Sequence, residues 1–498
     1  MRGFGIGCAL ALASVVAAEQ PFVIRVTDDE TGRGVPLVEL RTLNEARYYT
    51  DSNGVASITE PWLFGHDVYF RVWSHGYEFL EQIWGDDEER GKVLRVTPGG
   101  RAELKIRRRN VAERLYRITG AGIYRDSVMA GLPVPLKQPL LNARVVGQDT
   151  VVAVPYRGKI YWIWGDTFGL ADALFSVSGA TSWLPSRRGL DPDKGVDLTY
   201  FVDSAGFSRA MLPLPRPGLV WIEGMMTVRD PSGRERLLAT YTRQPGLKPP
   251  DERGVAVFND DKAVFEALTH WAGGRSATPS HPFRVVEGGK AYWYLYPHQR
   301  VRDDWRAIQD PRTWESFTCL KPGAVFDPKA PALDRAPDGS VRCGWKAGTD
   351  RIDSDEEREL VRQGLLPPNQ AIFLLIDVDT NKPTAARPGS VAWNDYRRRW
   401  IMIAWWSGSI YYSEADRPEG PWKRALKIIS HDEYNFYNPT QHTFFDQDGG
   451  RVIYFEGTYT AAFTNAKEKT PLYDYNQIMY RLRLDDPRVV KAFGVASP

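Results

Sequence analysis

Lys159-Ile160-Tyr161-Trp162-Ile163-Trp164-Gly165-Asp166-Thr167-Phe168 is a short aromatic run that follows the polar turn at Tyr156–Lys159 and stops at a Gly-Asp pair. Aromatic and β-branched side chains suit a pleated surface, and the run is of strand length. The same succession of polar loop, aromatic strand, turn and second strand returns at Glu235–Tyr241, Ala291–Tyr296, Trp400–Trp406 and Arg451–Phe455. The repeats fill about 350 residues, or roughly seventy per unit, a spacing expected of radially repeated sheets. One small sheet cannot bury both faces alone, so such sheets pack around an axis and leave only short edges. The expected fold class is all-β: a five-bladed β-propeller over residues 137–498, preceded by a small β-sandwich. A single sandwich would rarely need so many residues.

Composition agrees with strands and flat stacking surfaces. The 498 residues hold 17 Trp, 23 Tyr, 21 Phe, 44 Gly and 35 Pro. Lys plus Arg number 64 against 62 Asp plus Glu, so no broad basic field exists to hold a nucleic-acid backbone. A mean hydropathy of -0.40 excludes a polytopic membrane protein.

Residues 1–18 read as a secretory signal: Arg2 precedes an apolar run from Phe4 to Val16, and Val16-Ala17-Ala18 offers a cleavage site before Glu19. The run is shorter than the ~20 residues a spanning helix needs. The mature chain is therefore expected to be secreted (periplasmic, extracellular or cell surface) with no membrane span. Cys8 leaves with the signal, and Cys319 and Cys343 remain as a candidate disulfide or two buried thiols.

Residues 19–109 alternate as strands at Phe22–Val26, Val35–Leu40, Asp67–Trp73 and Ala102–Arg107, with turns at Asp28–Gly32 and Thr50–Gly54. Residues 110–136 form a linker in which Val111, Leu115 and Ile118 recur at helical spacing, predicting a short helix. Ile123-Tyr124-Arg125-Asp126-Ser127 then offers Arg125 as a ligand contact or a strap that docks the two domains.

The chain has no Gly-rich phosphate loop, no H-E-x-x-H and no G-x-S-x-G elbow. It has instead carboxylates beside aromatic strand ends, and two carboxylates flanking a sugar are the usual equipment for glycoside hydrolysis. Asp149 opens one predicted strand and Asp166 closes the next, so antiparallel pairing brings both to one sheet end. One would activate water and the other tune its pKa. Asp166 has a competing role as a turn cap. Glu223 (W-I-E-G), Glu315 (W-E-S-F) and Glu456 (Y-F-E-G-T-Y) compete as general acid, with Glu223 ranked first. For each, pairing with a structural arginine is the alternative.

Tyr434 to His442, Glu456 to Thr460 and Tyr473 to Gln477 form the densest polar and aromatic stretch. Sugars need rings for their C–H faces and fixed partners for their hydroxyls. Trp164, Arg125, Trp406, Tyr437, Asn438, His442, Tyr459, Asp474, Tyr475 and Asn476 are the candidate sugar contacts. Trp405 and Trp406 point to opposite faces, so only one touches substrate. Trp422 is expected in the core. No cofactor is required; His281 and His442 leave open a structural cation near the axis. Asp350 to Arg362 reads as a helix whose carboxylates face water.

Two resemblances rest on these residues. The run Val26-x-Asp28-x-x-Thr31-Gly32-x-Gly34-Val35-Pro36, with Tyr49-Thr50-Asp51-Ser52-x-Gly54, resembles transthyretin-like, carboxypeptidase-regulatory-type modules over residues 20 to 109. Trp164-Gly165-Asp166-Thr167, Gly420 to Trp422 and Tyr437-Asn438-Pro439 resemble five-bladed propeller glycosidases of the arabinanase and fructosidase type, near the endo-D-arabinanase family, over residues 137 to 490. That resemblance implies an active site at the axial mouth, with an Asp base and a tuning Asp on the first blade and a Glu acid on a later one. Asp149 and Asp166 match the first-blade positions, although the Asp-Pro pair usual in family 43 is absent at Asp149. The implied partner is a furanoside-rich or related polysaccharide or oligosaccharide. A non-catalytic carbohydrate-binding or cell-surface interaction propeller is the rival.

Overall fold

The computed structural model describes residues 20–81, 90–246, 248–272 and 280–495, so the signal expected over residues 1–18 lies outside the described residues. The chain is all-β with few helices, and among the described residues no helix is long and apolar enough to cross a membrane.

Two four-stranded sheets come first. One is ordered Val55–Ile58, Phe22–Asp28, Arg101–Arg108, Tyr77–Glu78, and the other Arg47–Tyr49, Glu39–Thr42, His66–Trp73, Gly91–Val96. They share one apolar cluster built on Ile24, Val26, Val38, Leu40 and Phe70. The strand expected over Val35–Leu40 is shifted to Glu39–Thr42, because Val35 and Leu37 bond to Val26 and Thr50 outside the ladder.

Five further sheets of four or five strands follow in chain order, antiparallel except for the parallel pair Ile376–Asp377 and Arg424–Ser430, beside a small three-stranded sheet of Val145–Gln148, Thr167–Gly169 and Ala173–Leu174. Their second strands are Lys159–Trp164, Glu235–Gln244, Lys290–Tyr296, Arg399–Trp406 and Val452–Thr460, so each aromatic run of the sequence falls on the same strand of its sheet. Each sheet packs on the next through a shared cluster. Ile163 meets Met225 and Tyr241 between sheets one and two, and Met226 and Val257 meet Trp293 and Leu295 between two and three. Phe283 packs on Trp400 between three and four, and Ile403 and Ile410 share a cluster with Phe436 and Phe455 between four and five. Tyr454 and Met479 of the fifth sheet then pack with Ile160, Trp162 and Trp164 of the first. Trp422, as expected, is fully buried.

The predicted linker helix is corrected to a strand. Glu113–Arg117 is the outer strand of the fifth sheet, antiparallel to Asn476–Arg483, with Met479 opposite Tyr116. The helical spacing of Val111, Leu115 and Ile118 misleads because all five strand residues are buried, so no period-2 contrast survives. A stretch preceding the first sheet thereby completes the last. The only helix of the linker is the short Arg125–Met129. Ile123 to Ser127 is the docking strap: Ser127 N donates to Asp51 Oδ2 (2.7 Å) and Ser57 N to Asp126 Oδ1 (3.0 Å). Arg125 is half-exposed, its guanidinium 4.0 Å from the Asp126 carboxylate.

Cys319 and Cys343 are bridged, closing a segment of sequence separation 24 beside the third sheet. Asp350 to Arg362 departs from its expectation. The helix Ser354–Arg362 is there, capped by Asp353, but Glu357 is buried and accepts from Ile372 N (3.0 Å) and Phe373 N (2.7 Å). Burial pushes its carboxyl up to about 7.

Candidate active site

The functional side chains stand where the first strand of a sheet loses its regular pairing. In the second sheet the register shifts between Ile222 and Gly224, leaving Glu223 as the extra residue of a bulge. In the fourth sheet the shift falls between Pro388 and Ser390, and in the fifth between Tyr437 and Thr440, with Asn438 at φ 49°. Asp149 and Thr150 lie between Val145–Gln148 of the three-stranded sheet and Val152–Tyr156, the first strand of the first sheet, with Thr150 also at φ 49°. Bulges re-aim side chains that a regular strand would place in the sheet face.

Asp149 is held from several sides. The adjacent Gln148 is fully buried, donating to Thr167 Oγ1 (3.1 Å) and Ser178 Oγ (2.7 Å) and accepting from the Tyr200 phenol (2.7 Å). The predicted hairpin is present, Val152 opposite Ile163 and Tyr156 opposite Lys159, and Asp149 N donates to Asp166 O at 3.3 Å. The two acids therefore sit at one sheet end. Gly165 between Trp164 and Asp166 leaves room for the Asp149 carboxylate, which a Cβ there, 2.4 Å from Oδ1, would displace.

The Tyr437 phenol donates to Asp149 Oδ2 at 2.7 Å, and Asn438 Nδ2 donates to Thr150 Oγ1 at 2.7 Å. Burial raises the Asp149 carboxyl, opposed by hydrogen bonding from Tyr437 and then Tyr475. Asp166 is raised to about 7, first by burial and then by the Asp149 charge. Among the described residues Asp149 Oδ1 and Asp166 Oδ1 accept no hydrogen bond.

Asp149, Asp166 and Glu223 line one cavity of about 220 Å³, walled by Trp164, Trp221 and Gln244. Glu223 also borders a second cavity of about 370 Å³ with Arg253, Trp271, Tyr296, Trp314 and Arg351. Tyr296 and Arg351 continue into a third of about 310 Å³ with His281, Arg387, Trp405 and Asn438. The three adjoin through shared walls. Burial raises the Glu223 carboxyl, against the opposing charges of Arg253 and Arg351.

Other candidates are placed elsewhere. Glu315 is ion-paired with Arg300 at 2.7 Å, whose guanidinium lies over the Trp345 and Tyr292 rings at 4.0 and 4.2 Å. Glu456 is fully buried with His442 Nε2 at 2.5 Å and lines none of these cavities. Tyr459 bonds His75 of the N-terminal sheets at 2.9 Å. Asp474 accepts from Thr460 Oγ1 and Ala461 N, and Asn476 bonds the backbone of Val146, Leu472 and Asp474. Trp405 lines the third cavity, whereas Trp406 lies under Arg387. Among the described residues no group of three or more His, Cys, Asp or Glu is arranged to hold a metal ion. His281 reaches the third cavity, its imidazole pushed down to about 3 by burial and then by His442.

Sequence reasoning missed Trp221, Gln244, Arg253, Tyr296, Arg351 and Arg387. Trp221 adjoins the W-I-E-G motif and was open to the same reading as Glu223. The arginines carry no local signal, since a strand arginine is ordinarily solvated.

No family model and no curated protein matches the chain. Glycoside hydrolases are among the solved structures that resemble it. They include an exo-β-1,3-galactanase from Phanerochaete chrysosporium (9% identity, TM-score 0.35, 69% of this chain and 61% of that one). A thermostable family-43 glycoside hydrolase (11%, 0.34, 71% and 95%) and the α-L-arabinofuranosidase of Fusarium graminearum (12%, 0.35, 75% and 98%) are others. Likeness at these TM-scores is too distant to assign fold or activity.

Proposed function

We propose that this chain is an exported glycoside hydrolase in which a transthyretin-like β-sandwich precedes a five-bladed β-propeller that cleaves a furanoside-rich or related polysaccharide. One observation carries the reading: Asp149 and Asp166 of the first sheet and Glu223 of the second line one cavity walled by tryptophans. The sequential packing of five sheets, fifth upon first, supports the propeller. The apolar run before Ala18 supports export.

In this reading Asp149, supplied with a phenol hydrogen bond, is the base. It takes a proton from the water that attacks the anomeric carbon. Glu223, across the cavity on another sheet, donates its proton to the leaving oxygen as the C–O bond breaks. Asp166, raised to about 7, tunes Asp149 through the charge it adds on ionising. Asp149 and Asp166 share one sheet end whereas Glu223 stands on the second sheet, which favours Glu223 as the acid. The proposed chemistry requires side chains only; a structural cation near His281 and His442 remains a separate proposal.

Product release from a polysaccharide panel that includes arabinans tests this. Wild type is expected to turn over a member, and folded Asp149→Asn and Glu223→Gln variants to lose that turnover. Glycan binding without turnover in any form would replace the hydrolase by a binding propeller.

A further inference from the structure

The loop over residues 461–475 joins strand Val452–Thr460 to strand Asn476–Arg483 of the fifth sheet, and it displays Phe463. That ring is 90% exposed, more than any other large apolar side chain among the described residues, and its backbone is left-handed at φ 62°. A bulky residue at positive φ is uncommon, and such strained positions gather at active sites and ligand clamps. Single exposed apolar side chains are ordinary. Phe463 is not isolated: its ring lies 6.4 Å from that of Tyr437, whose phenol donates to Asp149, and Tyr437 lies 6.3 Å from Trp405 of the third cavity. Rings therefore run from a cavity wall to solvent beside the proposed base.

The loop is anchored on two sides. Asp474, predicted from the sequence to contact sugar, accepts instead from Ala461 N (2.7 Å) and Thr460 Oγ1 (3.1 Å), while Thr464 Oγ1 donates to Ala461 O (2.6 Å). The N-terminal sheets hold its far part: Arg47 pairs with Glu468, and Leu37 N donates to the Tyr473 phenol (3.1 Å). So held, the loop keeps the Phe463 ring out of the core. A flat ring in that position can take the C–H face of a sugar, whereas Tyr437 is buried with its phenol already engaged.

We propose that Phe463 is the stacking platform of an outer subsite on the Asp149 side, where it receives a sugar of the substrate beyond the residue being cleaved. This rests on the glycoside hydrolase reading and adds that the substrate is a chain of several sugars. The test is kcat/KM on the disaccharide and the hexasaccharide of arabinan, and of any other panel polysaccharide that is turned over. The full mature chain is used, as wild type, Phe463→Ala and Phe463→Trp. Wild type is expected to prefer the hexasaccharide. Phe463→Ala should lower the hexasaccharide-to-disaccharide ratio about three- to ten-fold, the worth of one aromatic contact, through KM rather than kcat. Phe463→Trp should keep the preference. An unchanged ratio in Phe463→Ala, or an equal fall in kcat on both lengths, overturns the platform and leaves the hydrolase standing. Turnover of no substrate overturns the hydrolase, and with it this inference. If Phe463→Ala fails to fold, wild type still decides, because equal kcat/KM on the two lengths overturns the outer subsite.

Discussion

Two regions of this molecule hold carboxylates among aromatic rings and use them differently. At the cavity, Asp149, Glu223 and Asn438 stand on interrupted strands, and Asp149 and Asp166 each keep an oxygen free of protein partners. In the fifth sheet Glu456, Tyr459 and Tyr473 stand on or beside regular strands and face inward. Glu456 pairs with His442, Tyr459 stacks on Tyr434 at 4.7 Å, and the Tyr473 phenol donates to Thr50 O at 2.6 Å. The second region ties the N-terminal sheets to the fifth sheet through His75 and Tyr459 and through Tyr473 and Thr50. Irregular backbone, rather than density of polar residues, marks where side chains reach the cavity.

The sharpest break of that contrast is to neutralise one acid in each region. Asp149→Asn and Glu223→Gln are expected to lower kcat about 10²–10⁴-fold with little change in Tm, the usual worth of general acid–base groups. Rates within ten-fold of wild type would mean that the cavity is not the reaction centre. Glu456→Gln and His442→Ala should do the reverse, because leaving a buried polar group without its hydrogen-bond partner costs about 1–3 kcal/mol. Urea unfolding against kcat/KM of the folded fraction separates the two effects, and a catalytic collapse at unchanged stability would move Glu456 into the site.

Gly165→Ala is a smaller test. Its Cβ would crowd Asp149, so kcat should fall while Tm drops by a few degrees, consistent with overpacking of about 1–3 kcal/mol. Unchanged kinetics would show that Asp149 needs no fixed position.

The smallest effect is in stability against pH. Asp166 and Glu357 at about 7 and Asp446 at about 8 hold protons in the native state that unfolded carboxyls release near pH 4. A raised native pKa gives stability that is fully present below the unfolded value and lost as pH rises through the native one. Buried His281, at about 3, and His75 and His431, both lowered, act oppositely below pH ~6.5, where unfolded histidines take up protons. Thermal stability should peak near pH ~6.5, where the histidine limb ends, fall as pH rises from there to about 8, and level off above it, and Asp446→Asn should flatten that fall. A flat profile across that range would contradict the buried-acid account.

Much of the architecture was legible because it follows local pattern. All five aromatic runs are second strands, and the turn at Tyr156–Lys159 does bring Asp149 to Asp166. Glu113–Arg117 was misread because a strand buried on both faces carries no alternation. Tyr437, Asn438 and Tyr475 reach Asp149 or its neighbour Thr150, whereas Tyr459, Asp474 and Asn476 from the same stretches do not. Which member of a polar run turns to the cavity depends on a bulge, and a bulge depends on the pairing partner.

The sequence by itself determined the strands, their turns and the carboxylate pair of the first sheet, since these depend on side-chain period and on residues within one hairpin. Only the tertiary structure decided that Glu223, rather than Glu315 or Glu456, joins that pair, and that Arg253 and Arg351 stand beside it. Those relations join different sheets, and their distances are set by how the sheets pack, which no local pattern encodes.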